Sequence, residues 1–139
     1  MPGDAKRKPL KSVARSMADS FTSLMNYRDD DYVMEHIATQ ARQTGRTRLD
    51  ADLLSGPLEP DEFVRPPIAD SVAGYSHWFP QLVQSSGSDI ASVRAARLSL
   101  VFDLGIRSGH YVCQVVIEDD RGKTYEAEIS GNWASSGLP

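Results

Sequence analysis

Hydrophobic and polar residues alternate most regularly in the last third of the chain. Leu98, Leu100, Phe102 and Leu104 are interleaved with Ser99, Val101 and Asp103. Cys113, Val115 and Ile117 are interleaved with Gln114, Val116 and Glu118. Tyr125, Ala127 and Ile129 are interleaved with Thr124, Glu126, Glu128 and Ser130. A period of two sends successive side chains to opposite faces of a strand. The stretch from Arg97 to Trp133 is therefore expected to form an antiparallel three-stranded β-meander. Val101 and Val116 are apolar on the second face, so that face is expected to be partly covered too. Gly105 to Gly109 supply the first turn. Asp119, Asp120, Arg121 and Gly122 read as a tight second turn, with glycine at a positive-φ position.

The first half repeats at helical spacing instead. Val13, Met17, Phe21 and Leu24 recur every three or four residues, flanked by Ala14 and Met25. A helix is expected to start near Leu10 to Ser12. Asp29, Asp30 and Asp31 suit the start of a second helix, because carboxylates there meet unpaired N–H groups and the positive end of the helix dipole. Its apolar stripe is Tyr32 or Val33, then Ile37 and Ala41, with Met34 and Ala38 beside it, and Gly45 after Thr44 is its natural C-cap. The two segments read as a helical hairpin.

A third helix is marked by Ile68, Val72, Tyr75, Phe79, Leu82 and Val83. Pro80 conflicts with that stripe, since an interior proline removes a backbone hydrogen bond and clashes with the preceding turn. The expectation is a break or kink near Phe79. Ser85 to Asp89 lead into the sheet. Between the second and third helices, residues 46–67 carry Gly56-Pro57, Pro60 and Pro66-Pro67 and read as a long connection. Leu49, Leu53 and Leu54 fit either a short helix or a short extended piece. Phe63 and Val64 would tack the connection to the core.

These patterns define an α+β fold, with N-terminal helices packed on a C-terminal antiparallel three-stranded β-meander. At 139 residues the chain suits one domain with a real core. The expected division is a flexible basic arm over 1–9, a single domain over 10–133 and a loose tail over 134–139. A three-stranded sheet has two edges, which leaves a homodimer open.

Charge divides the chain unevenly. Lys6, Arg7, Lys8, Lys11 and Arg15 face one acid, Asp4, within residues 1–15, a net of +4. The whole chain carries −4, so the remainder carries −8. An acidic body argues against a general nucleic-acid binder, while the basic arm keeps phosphate binding through residues 6–15 as an alternative. Apolar residues make up 40% and charged residues 24%, the composition of a folded domain rather than a disordered one. With one cysteine, Cys113, the chain cannot close an internal disulfide, which suits a reducing compartment. No run approaches the roughly eighteen apolar residues of a membrane helix, and no signal-peptide core follows the N-terminal charges. A cytoplasmic protein without membrane contact is expected.

The chemistry-bearing residues have structural readings. Adjacent aspartates at 29–31 point in different directions and cap a helix rather than converge on a cation. Glu118, Asp119, Asp120 and Lys123 lack the acid-x-lysine spacing of a hairpin nuclease site and read as turn residues. His36, His77 and His110 have no cysteine or carboxylate at metal-ligand spacing. Cys113 falls on the packed face, where a thiol is a small hydrophobe. Glycine-rich phosphate loops and the Gly-x-Ser-x-Gly elbow do not occur. No cofactor and no metal are expected.

Tyr75, His77 and Trp78 remain. His77 and Trp78 lie partly off the Ile68–Val83 stripe, beside the proline-rich connection. Together with Lys6, Arg7, Lys8 and Lys11 they are the candidate binding residues. The sequence therefore reads as a small non-enzymatic cytosolic binding or regulatory protein, acting on a protein partner through a surface. The alternatives are a nucleic-acid-associated accessory factor using the arm, and an enzyme assembled from distant residues such as His77, Asp103 and His110.

Overall fold

The computed structural model describes residues 2–25, 39, 41–45, 47–57, 66–103 and 109–133. Two long helices, α1 (Pro2–Met25) and α2 (Pro66–Ser85), accompany five strands. These are β1 (Arg48–Asp52), β2 (Gly56–Pro57), β3 (Val93–Asp103), β4 (Gly109–Asp119) and β5 (Thr124–Trp133). A short 3-10 turn, Ile90–Ser92, leads into β3. All pairings are antiparallel, in the order β2-β1-β3-β4-β5.

The meander of β3, β4 and β5 follows the alternation. Leu98, Leu100, Tyr111, Cys113, Val115 and Ile117 are wholly buried, and Tyr125 and Ala127 nearly so. Register confirms that they share a face: Leu100 opposes Cys113, which opposes Ile129, and Leu98 opposes Val115, which opposes Ala127. Leu104 and the turn residues 105–108 lie outside the described residues, and Gly109 opens β4.

The sheet is wider than three strands. Residues 48–52, within the segment expected to be a long connection, pair along β3, with Leu49 opposite Leu100 and Ala51 opposite Leu98. Leu53 N–H then donates to the Ala96 carbonyl at 2.9 Å. The apolar set Leu49, Ala51 and Leu53 has the same period of two as the meander and is buried with it. The Asp52 carboxylate folds the chain back toward β2, accepting from Leu54 N–H at 2.8 Å and from Ser55 Oγ at 3.0 Å.

The first helix lies across β4 and β5 on the packed face. Leu10, Val13, Ala14, Met17, Ala18 and Phe21 are its buried stripe. Each large side chain among them contributes about 1.5–3 kcal/mol by leaving water. This helix begins at Pro2 rather than near Leu10, so residues 2–9, expected as a flexible arm, fall within it. The local sequence is divided: proline suits a first turn and alanine, lysine and arginine are good helix formers, while Pro9, inside the helix, opposes it.

The second long helix runs unbroken through Pro80, so of the expected break or kink near Phe79 the break does not occur. Phe79 and Val83, on either side of the proline, are both wholly buried in the core. Their burial holds the two halves on one surface and offsets the roughly 3 kcal/mol that an interior proline costs. Of the helix expected over 29–44, Ala41 to Thr44 are helical, and Gly45 ends them at φ 75 with its N–H on the Ala41 carbonyl at 2.7 Å. Residues 26–38, the Asp29–Asp31 cap among them, lie outside the described residues, as do Pro60, Phe63, Val64 and the tail after Trp133.

The β4–β5 hairpin closes as its sequence indicates. Asp119 N–H donates to the Lys123 carbonyl at 2.9 Å, and Gly122 sits at φ 85. Asp120 N–H reaches the Ser92 carbonyl at 2.8 Å, pinning the hairpin tip to the turn before β3.

Candidate functional site

Helix α2 carries an aromatic ladder from the core to the surface. Phe21 of α1 is buried. Tyr75 meets it edge to face, with ring centroids 5.6 Å apart, and Trp78 lies 6.0 Å beyond Tyr75 at a tilt of 41°. Trp78 keeps 37% of its surface exposed, and the neighbouring His77 is exposed as well. Spacing explains the arrangement: Tyr75 and Trp78 are three residues apart, one helical turn, while Phe79 faces inward. Burial raises the Tyr75 phenol above its ordinary value, and the nearby Cys113 adds to this.

Leu54 is the other large apolar side chain left exposed among the described residues, at 39%. It sits in the β1–β2 turn, and α2 packs on β2. Nothing in the Leu53-Leu54 pair tells which of the two turns inward. The β1 pairing decides it.

Lys6, Arg7, Lys8 and Lys11 fall in one helix with Arg15. Lys11 and Arg15 are exposed, and Arg15 pairs with Asp19 at 3.4 Å, a solvent-screened contact of small energetic weight. Tyr75, His77 and Trp78 lie on α2, so the candidate residues divide between two helices.

The titratable residues weighed as catalytic fall on three elements. Asp103 and His110 oppose one another in the β3–β4 register, while His77 projects from α2. Cys113 is wholly buried, and burial pushes its thiol up to about 12, against a weaker downward pull from Thr22. Thr22 Oγ1 itself is buried without a partner of hydrogen-bonding geometry. A thiol in that state is neutral and inert as a nucleophile. Asp119 is buried and serves the hairpin: Oδ1 accepts from Arg121 N–H and Lys123 N–H, each at 2.9 Å, and Oδ2 accepts from Tyr125 Oη at 3.0 Å. Among the described residues, no group of three or more histidine, cysteine or acidic side chains is placed to hold a metal ion. No described helix is long and apolar enough to cross a membrane.

A polar cluster on the outer sheet face was not legible in the sequence. Ser99 Oγ donates to Asp50 Oδ1 at 2.6 Å, and Arg48 Nε donates to both Asp50 oxygens at 2.9 and 3.0 Å. Burial pushes the Asp50 carboxyl up, but the Ser99 hydrogen bond and the Arg48 and Arg97 guanidinium groups outweigh it and hold the group below its ordinary range.

No family model, curated protein or solved structure matches this chain.

Proposed function

We propose that this chain is a small binding or regulatory protein that engages a protein partner through α2, with Trp78 as the anchor. The observation that carries this reading is the Phe21–Tyr75–Trp78 ladder. An exposed tryptophan braced by a half-buried tyrosine loses little side-chain freedom when a partner covers it, and aromatic anchors of this kind supply much of the energy of protein interfaces. His77 beside it in the helix adds a polar rim.

The test compares the full chain with a Trp78→Ala variant as bait in otherwise identical captures. The expected result is a stoichiometric protein partner held by the parent chain and lost by the variant, while both melt at the same temperature. A partner retained equally by both, or none enriched by either, overturns the reading.

A further inference from the structure

Strand β5 ends the sheet. It pairs with β4 along one side, and among the described residues no strand pairs with its other side. A groove of about 510 Å³ opens there, lined by Lys11, Ser12, Arg15 and Ser16 of α1 and by Glu126, Ala127 and Glu128 of β5. Ala127 belongs to the packed face and the two glutamates to the outer face, and no β4 residue takes part. The groove therefore follows the rim of the sheet rather than either face. An edge strand offers backbone groups that another extended chain can pair with.

Charge says what kind of chain fits. Glu126 and Glu128 are exposed on the outer side of the rim, and Lys11 and Arg15 are exposed on the helical wall. A strand laid along β5 would turn alternate side chains to these two sides. A second copy is a poor occupant. Antiparallel self-pairing centred on Glu126, Ala127 or Glu128 sets glutamate against glutamate, and like charges directly opposite are destabilising. We propose that β5 accepts an extended peptide as a further strand, with basic side chains beside Glu126 and Glu128 and acidic side chains toward Lys11 and Arg15. This surface is distinct from the α2 ladder and does not depend on it.

The test uses the isotope-labelled full chain and a capped peptide of about eight residues, a strand's length, alternating lysine and glutamate. A peptide of the same composition with all lysines before all glutamates serves as the control. The expected result is saturable binding of the alternating peptide, with slowed amide exchange within Glu126–Glu128 and weaker binding of the control. Joint Lys11→Gln and Arg15→Gln substitution should weaken binding about tenfold, the loss of two exposed charge pairs. Joint Glu126→Gln and Glu128→Gln substitution should do the same, and both variants should keep the parent's melting temperature to within the small weight of the exposed Arg15–Asp19 pair. Equal binding of the two peptides, shifts confined to α1, no binding, or a dimer that protects the same amides would each overturn the proposal.

Discussion

The Tyr111 ring lies directly over Gly131, its cross-strand partner on β5. A Cβ built at Gly131 would fall 2.8 Å from Tyr111 Oη and 2.9 Å from Cζ, closer than real side chains approach. Tyr111 is also among the largest wholly buried side chains. The ring thus fills space that any other residue at 131 would occupy. Gly131→Ala is expected to destabilise the fold by about 1–3 kcal/mol, the usual range for overpacking. Urea unfolding measures it. A double-mutant cycle with Tyr111→Leu isolates the contact, because removing Oη, Cζ and Cε1 relieves all three close approaches. An undiminished penalty in the leucine background would assign the effect to the backbone instead.

Asp119 holds the hairpin tip through three donors on one buried carboxylate. Asp119→Ala leaves Arg121 N–H, Lys123 N–H and Tyr125 Oη without that acceptor. The expected loss is about 2–3 kcal/mol, since hydrogen bonds to a charged group are worth more than neutral ones and orphaned donors add a penalty. Tyr125→Phe removes one donor and keeps the turn, so its loss should be nearer about 1 kcal/mol. Equal losses in the two variants would mean that the hydroxyl, not the turn, carries the stabilisation.

The packed face was legible because strand and burial share a period. Leu98, Val115 and Ile117 could be placed inward from spacing alone, and all three are wholly buried. Strand β1 stayed open between a short helix and a short extended piece for a physical reason. Its inward residues include only Leu49 and Ala51 between charged Arg48, Asp50 and Asp52, and none is β-branched. Its strand character comes from pairing with β3, which local sequence does not report. Pro80 misled in the opposite sense, because a local penalty was outweighed by the burial of Phe79 and Val83. The surface was half legible. Trp78 lies partly off the helical stripe, which marked it as a candidate for exposure but equally allowed it to extend the core. The Asp50–Ser99 contact joins residues 49 positions apart, and the α1–β5 groove joins the two ends of the chain. Such juxtapositions exist only after folding.

Cys113 should behave as a latent thiol. With burial raising it from 9.0 to about 12, it stays neutral in the folded chain at about pH 8 and is expected to resist maleimide until the protein unfolds. The sign of the linked stability follows. A thiol that ionises more readily when unfolded leaves the native state fully favoured below about pH 9 and progressively less so as pH climbs toward 12. Tyr75 acts in the same direction, but only above its ordinary value of 10.0. Cys113→Ala should therefore flatten the fall in stability between about pH 9 and 10 relative to the parent. Prompt native labelling, or an unchanged slope in the variant, would contradict the buried, neutral assignment.

Asp50 gives the opposite sign at acid pH. Burial alone would raise its carboxyl, yet Ser99, Arg48 and Arg97 together hold it below the ordinary 3.8. Its contribution to stability is therefore present above about pH 4 and is lost as pH falls through the depressed folded value. Direct titration of the Asp50 side-chain carbonyl by NMR should give a midpoint under 3.8. Ser99→Ala removes the 2.6 Å hydrogen bond and leaves the burial in place, so the midpoint should rise. Arg48→Gln should raise it too, and less so in high salt, because the guanidinium is exposed and solvent screening already weakens its field. A midpoint that moves for Arg48→Gln but not for Ser99→Ala would mean that charge alone, and not the serine hydroxyl, sets the acidity of this cluster.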